Sequence, residues 1–400
     1  MKQGVTGFVP ERLEEALEAR NVTQVSLSQL SGTSPTSVSR WLKGEQTPEA
    51  SALAALASAL NLPTSYFLKA MEDHGQAPFF FRSMASATKG ARNKAKARMR
   101  WGQQISIALQ DVVDLPDCNV PDLADFKDFR TLEDERIEEI AQQCRRAWGL
   151  GDGPISDLHL LLENNGVVTI HDALEAATMD GVSSWSNLDG RAYVYVAIDK
   201  PSAVRVRFNA AHELGHLILH RNVDKSTLVK KEEFNLIERQ AHLFAAALLL
   251  PANSFAGELH SPTLAGFQAM KERWKVSIGA MIVRCSTLGI IDDDYKLRLW
   301  KHYSAKGWRS GEPLDDVIPY EHPRLLARSI MILAEQGGWS LSEILETLPL
   351  SAGDIESLTS LPVGYLSNNR ENIVEMPKLK DSAVRSAGGA TIFEFPKRGN

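Results

Sequence analysis

Two histidines and a glutamate stand out in the 400-residue sequence. His212-Glu213-Leu214-Gly215-His216 places two imidazoles four residues apart, with a carboxylate directly after the first. On a helix that spacing is about one turn, so both rings can reach one ion while Glu213 faces the water that the ion carries. A zinc ion held by three protein ligands keeps a fourth position open, lowers the pKa of the water there and polarises a carbonyl in the same act. The pattern points to metal-assisted hydrolysis.

Two histidines do not hold a catalytic zinc firmly, so a third ligand has to come from elsewhere. His220, Glu232, Glu233, Glu238 and His242 are the candidates. His220 lies one turn further along the same face, and three consecutive turns of a straight helix cannot converge on one ion, which leaves it a packing or supporting role. Lys231 to Leu250 carries Phe234, Ile237, Ala241, Phe244, Ala245 and Leu248 at helical spacing, with Glu238 at the edge of that apolar face. A carboxylate there is costly unless paired or metal-bound, which selects Glu238, with burial against an arginine as the alternative.

These residues need a frame. Arg207 to His220 is helix-compatible, and Arg191 to Ile198 reads as a strand joined to it by Asp199, Lys200, Pro201 and Ser202. Val167 to Ile170 and Val182 to Trp185 read as two further strands, so a small sheet precedes the metal helix. A sheet edge beside such a helix is what a peptidase needs, because an extended peptide can pair along it. Helices are expected over 132–149 and 158–164, and Leu264 to Cys285 is expected as helical packing of the same domain.

Hydrophobic content of 44% and charged content of 24% fit a soluble globular protein. No run of eighteen apolar residues and no leader-like start is visible, so the expectation is a cytoplasmic protein with no membrane contact. Cys118, Cys144 and Cys285 form no close pair, which argues against a disulfide framework and a cysteine-based zinc site. The net charge of -6 does not advertise nucleic-acid binding for the whole chain.

The N-terminal segment nevertheless has a DNA-reading pattern. Residues 11–69 read as short helices marked by Leu13 and Leu17, Leu27 and Leu30, Val38, Trp41 and Leu42, then Leu53, Leu56 and Leu60. Thr23 can cap one helix, Gly32 allows a sharp turn, and Ser34-Pro35 can cap and open the next: a helix-turn-helix. Residues 1–70 hold six Lys/Arg and six Asp/Glu, so non-specific attraction to phosphates is weak and a homodimer is expected. Phe79-Phe80-Phe81 is too apolar for a free linker and is expected to dock the two halves or begin a core helix. Arg82 to Arg100 holds seven Lys/Arg and no acid, reading as a solvated helix face or one that touches DNA.

Residues 11–69 resemble the Xre/Cro/cI-type repressor domain, including Gln24 at the opening of the second helix and Gly44 and Pro48 after the third. The resemblance implies that the third helix enters the major groove of a double-stranded operator, with Thr36, Ser37 and Arg40 near base edges and Gln24 and Lys43 near phosphates. From about residue 150 to 290 the chain resembles the ImmA/IrrE family of zinc metallopeptidases. The likeness rests on Arg207-Phe208-x-x-Ala211-His212-Glu213-Leu214-Gly215-His216, then Glu238-x-x-Ala241-x-x-Phe244-Ala245-x-x-Leu248-Leu249-x-Pro251. It implies a thermolysin-like helix pair, with His212, His216 and Glu238 as Zn2+ ligands and Glu213 as general base. His242 stands where that family more often has Asn or Asp; one turn after Glu238, it is expected to line the site as an oxyanion stabiliser or a competing ligand. The family typically cleaves a repressor of this helix-turn-helix type, so the expected protein substrate is such a repressor, a partner or the chain itself. The alternative is a transcription factor or antitoxin whose peptidase-like domain is a non-catalytic sensor or dimerisation module.

The expected class is α+β, mostly helical. Residues 1–72 form a five-helix helix-turn-helix domain, 73–130 a helical basic linker, and 131–295 a zincin-like peptidase domain with a small sheet. Residues 296–376 follow as a C-terminal helical bundle, resembling the extension of long repressor-fused members of the family, and 377–400 as a flexible tail.

Overall fold

Thr23 Oγ1 accepts a hydrogen bond from the Ser26 amide and Ser34 Oγ one from the Ser37 amide, while Gly32 between them takes a φ of 64°, which glycine adopts without steric cost. In the computed structural model these caps delimit α2 (Gln24–Ser31) and α3 (Pro35–Leu42), preceded by α1 (Pro10–Arg20) and followed by α4 (Ala50–Ala59). The expected fifth helix is a 3-10 turn, Thr64–Leu68. Leu13, Leu27, Val38, Leu53 and Leu56 close the core of this unit. The structure describes residues 4–367 apart from 76, 82–87, 127, 176–178, 200 and 201; the expected 377–400 tail, Arg82 and the Lys200-Pro201 turn lie outside them.

The middle of the chain runs through β1 (Phe80–Phe81), α5 (Lys89–Gln110), α6 (Asp134–Ala147), α7 (Leu158–Asn164), β2 (Val168–Asp172), β3 (Gly181–Trp185) and β4 (Ala192–Ala197). Next come α8 (Ala203–Leu219) and α9 (Lys231–Leu249). The sheet order is β1-β3-β4-β2, with β2 parallel to β4 and the other pairs antiparallel. Side chains alternate along β4: Ala192, Val194 and Val196 join the core built on α8 and α9, whereas Tyr193, Tyr195 and Ala197 join the core shared with α5. Both faces of the sheet are therefore covered.

The remaining elements are α10 (Ala252–Glu258), α11 (Leu264–Trp274), α12 (Ile278–Thr287), α13 (Asp293–Ala305), α14 (Leu325–Glu335), α15 (Leu341–Thr347) and α16 (Ala352–Thr359). The stretch Leu264 to Cys285, expected as helical packing, is two helices: Lys275 at φ 51° ends α11 and Ser277 caps α12. α13 runs on past Lys296 to Ala305.

The basic stretch differs most from expectation. One face of α5 lies under the sheet with Ala95, Met99, Trp101 and Ile105 in the core, while Lys89, Arg92, Lys94, Lys96 and Arg100 stay exposed or half-exposed. Its Arg98 is 6% exposed, donating from Nε to Asp172 Oδ2 at 2.6 Å and from its guanidinium to Asp354. Arg20 of α1 also donates to Asp354, at 2.7 Å, and Ser357 Oγ and Tyr195 OH donate to Asp172 at 2.6 and 3.1 Å. One buried polar junction thus ties together α1, α5, the sheet and α16. Leaving such a carboxylate buried without its partner costs about 3–5 kcal/mol, so the N-terminal domain is docked rather than tethered.

Candidate metal centre

The two helices that carry the site approach closely at Gly215. A Cβ there would lie 3.1 Å from the Phe244 ring and 3.2 Å from Ala241 Cα, so glycine on α8 is what lets α9 bring Glu238 within reach. His212 Nε2 and His216 Nε2 are 3.0 Å apart; Glu238 Oε1 is 3.2 Å from His216 Nε2, and Glu238 Oε2 is 3.5 Å from His212 Nε2. Tetrahedral ligands bonded to zinc at about 2.0–2.1 Å are separated by about 3.3 Å, and these three contacts, one to each oxygen of Glu238 and one between the rings, lie on either side of that value. Glu238 Oε1 is buried, with the His216 ring beside it. Among the described residues the ion-pair partners of Glu238 are these two histidines rather than an arginine.

Protonation favours a cation. Burial, then the neighbouring His216 and His242, hold the His212 imidazole well below its ordinary pKa, so its ring nitrogen is free of a second proton. Burial pushes Glu238 up, but the two imidazoles beside its carboxyl outweigh burial and hold it well below the usual carboxylate range. Neutral imidazole and carboxylate are the zinc-ligating forms.

His216 is oriented by a chain of buried groups. Gln240 Nε2 donates to the Phe129 carbonyl at 2.7 Å, which turns Gln240 Oε1 toward His220 Nε2 at 3.0 Å. His220 Nε2 must then donate. Burial and the adjacent His216 push the His220 pKa down to about 3, so the ring is neutral and its Nδ1 is an acceptor. The facing atom, His216 Nδ1 at 3.1 Å, donates to it, and the lone pair of His216 is left on Nε2, toward Glu238 and His212. His220 therefore supports the site rather than ligating it. Gln240 was missed from sequence; its only signal was a polar residue between apolar Ile237 and Phe244.

Glu213 is fully buried against β3. Ser183 Oγ donates to its Oε2 at 2.6 Å, and a Cβ on Gly181 would lie 2.8 Å from its Oε1. His242 is exposed at the rim, its Nδ1 donating to the Glu238 carbonyl at 3.1 Å and its ring centroid 4.5 Å from that of His212. His212, Glu238 and His242 each offer a ligand atom within 4.8 Å of the others. With Nδ1 committed, neutral His242 presents a lone pair to the site, and only its protonated form can donate to an oxyanion.

The expected DNA-facing residues sit apart from this centre, on α2 and α3. Gln24, Thr36, Arg40 and Lys43 are exposed; Ser37 is half-buried, its hydroxyl 2.9 Å from Ser34 Oγ within the helix cap. The three cysteines are free, and burial pushes Cys144 and Cys285 up to about 12, which excludes them as nucleophiles at neutral pH.

Residues 162–286 match the family described as IrrE N-terminal-like domain, and residues 13–67 match the helix-turn-helix family. No curated protein matches the chain significantly. An N-terminal helix-turn-helix domain is thus fused to an IrrE-like peptidase domain, an architecture that supports a DNA-binding regulator carrying a candidate metal-binding module.

Proposed function

We propose that this fusion is a transcriptional regulator whose second domain is a zinc-dependent endopeptidase, cleaving a helix-turn-helix repressor, a partner or itself, in a stress, phage or mobile-element response. The observation that carries it is the set of three donors at tetrahedral spacing with the buried Glu213 beside them. A structural zinc closes all four positions with protein ligands and needs no base; here three inner donors and a buried carboxylate, Glu213, would suit a catalytic one.

His212, His216 and Glu238 would hold the ion, which supplies Lewis acidity to a water and to the scissile carbonyl. Glu213 takes the proton of that water and later returns it to the leaving amine, with Ser183 fixing the carboxylate's rotation. The side of β3 that β1 covers lies beside Glu213 and would pair with an extended peptide once β1 gives way. His242, once protonated, donates to the carbonyl oxygen as negative charge builds on it. Thr36, Ser37 and Arg40 would meet base edges of a double-stranded operator, with Gln24 and Lys43 at phosphates and a homodimer supplying the second half-site. Among the described residues no helix is long and apolar enough to cross a membrane, and a cytoplasmic site of action is part of the proposal.

The test is Glu213→Gln, assayed against a panel of purified helix-turn-helix repressors. The variant is expected to keep its zinc and abolish cleavage, since the amide preserves the contact with Ser183 but cannot accept the proton. Cleavage at the wild-type rate would remove the basis of the mechanism.

A further inference from the structure

The strand beside Glu213 is not open. β1 pairs antiparallel with β3, placing Phe80 opposite Ser183 and Phe81 opposite Val182, the very stretch that holds the base. Upstream the same segment stays alongside: the Asn187 amide donates to the His74 carbonyl at 3.0 Å, and His74 Nδ1 is 3.2 Å from Ser186 Oγ. His74 and the Phe80–Phe81 strand thus both lie along β3 and its extension, in the manner of an extended peptide added to a sheet edge.

Phe80 also fills a side-chain pocket. It is 2% exposed and lies flat on the His216 ring, centroids 4.9 Å apart at 4°, with His220 tilted beside it at 6.0 Å. Phe129, Leu228, Phe234 and Ile237 close the rest. The floor of this pocket is a metal-site histidine, so whatever occupies it sits next to the reacting centre. The open cleft on this side, about 510 Å³, is bordered by Ala77, Pro78, Trp185 and Arg221 and so begins past Phe80, not over the histidines.

We propose that residues 77–81 are an internal occupant of the peptide-binding edge, holding the site closed, and that the Phe80 pocket is a subsite for an aromatic side chain of the substrate. The inference rests on the peptidase reading and names both its resting control and a substrate class: an extended peptide with an aromatic residue beside the metal. The strand is two residues long and its pocket contact is one ring, so the closure can be displaced. A short tether holds an occupant at about millimolar effective concentration, so free peptides compete poorly with it until the contact is weakened.

The experiment uses the full zinc-loaded chain and two probes. Quenched-fluorescent casein reports hydrolysis; a labelled peptide with the sequence of residues 77–81 reports binding by anisotropy in the Glu213→Gln background, where no turnover is needed. Phe80→Ala is expected to raise casein hydrolysis and tighten peptide binding by about tenfold each, the size of a displaced closed state. Phe80→Leu keeps most of the pocket volume, guards against misfolding, and should give a smaller change of the same sign. Tighter peptide binding with no hydrolysis in any variant would uphold the internal occupant while removing the peptidase reading. Unchanged hydrolysis and unchanged peptide binding in both folded variants, with zinc retained, would overturn the inference.

Discussion

Replacing Gln240 by leucine tests the reasoning about how the site is oriented. The side chain is fully buried, and both of its polar ends are used: one on the Phe129 carbonyl, the other on His220 Nε2. Leucine keeps the volume and removes both contacts. His220 then has no reason to carry its proton on Nε2, and His216 loses the acceptor that keeps its own lone pair on Nε2. Outer partners of this kind typically contribute about 10–100-fold to metal affinity, equivalent to about 1.4–2.7 kcal/mol. Two buried polar groups are also orphaned, at about 1–3 kcal/mol each, so stability falls independently of the metal. The assay separates the two: zinc affinity by competition with a chromophoric chelator, and thermal unfolding in excess EDTA. Gln240→Glu retains an acceptor for His220 and should recover most of the affinity. A folded Gln240→Leu protein that binds zinc as tightly as wild type would refute the relay.

Arg40→Ala should weaken binding to an operator selected from random duplexes by about 1–3 kcal/mol, measured by anisotropy, and leave zinc content untouched. Acid sensitivity should come in part from His159. Its Nε2 is 3.3 Å from His171 Nε2, and burial, then the charges of Arg207 and His322, push its pKa down to about 3. The neutral ring cannot take the proton that the unfolded chain accepts near pH 6.5, so stability is full above that pH and falls from there down to about 3. Between pH 7.5 and 5.5 the loss from this residue is about 1.4 kcal/mol, and urea midpoints should show His159→Gln losing less over that interval. An unaltered slope in the variant would count against the assignment.

The metal helix was legible because its information is local: His212 and His216 are four apart, and helical spacing alone puts them on one face. Glu238 on α9 was singled out by a similar argument, as an ill-placed carboxylate on an apolar face, and the fold brings it beside those two rings. Thr23, Gly32 and Ser34 announced the turn of the N-terminal domain through cap and backbone chemistry that depends on nothing distant. Other elements owe their form to partners far along the chain. Phe79-Phe80-Phe81 was recognisably apolar, yet its conformation is set by β3, about a hundred residues away, which supplies the strand pairing. The charges of α5 read as solvated because Asp172 and Asp354, which neutralise Arg98 in the interior, cannot be assigned to it from sequence. Lys275 in the left-handed region broke a run whose apolar periodicity was continuous. Gln240 gave little warning, since its role exists only once His220 and the Phe129 carbonyl are brought beside it.

The most direct test of the account is the metal content of protein purified without added metal, by inductively coupled plasma mass spectrometry, for wild type and Glu238→Ala. Three donors at tetrahedral spacing predict about one zinc per chain in wild type and a sharp fall in the variant. Wild type purifying without zinc and failing to bind it on addition, or a variant that keeps its full complement, would contradict the site.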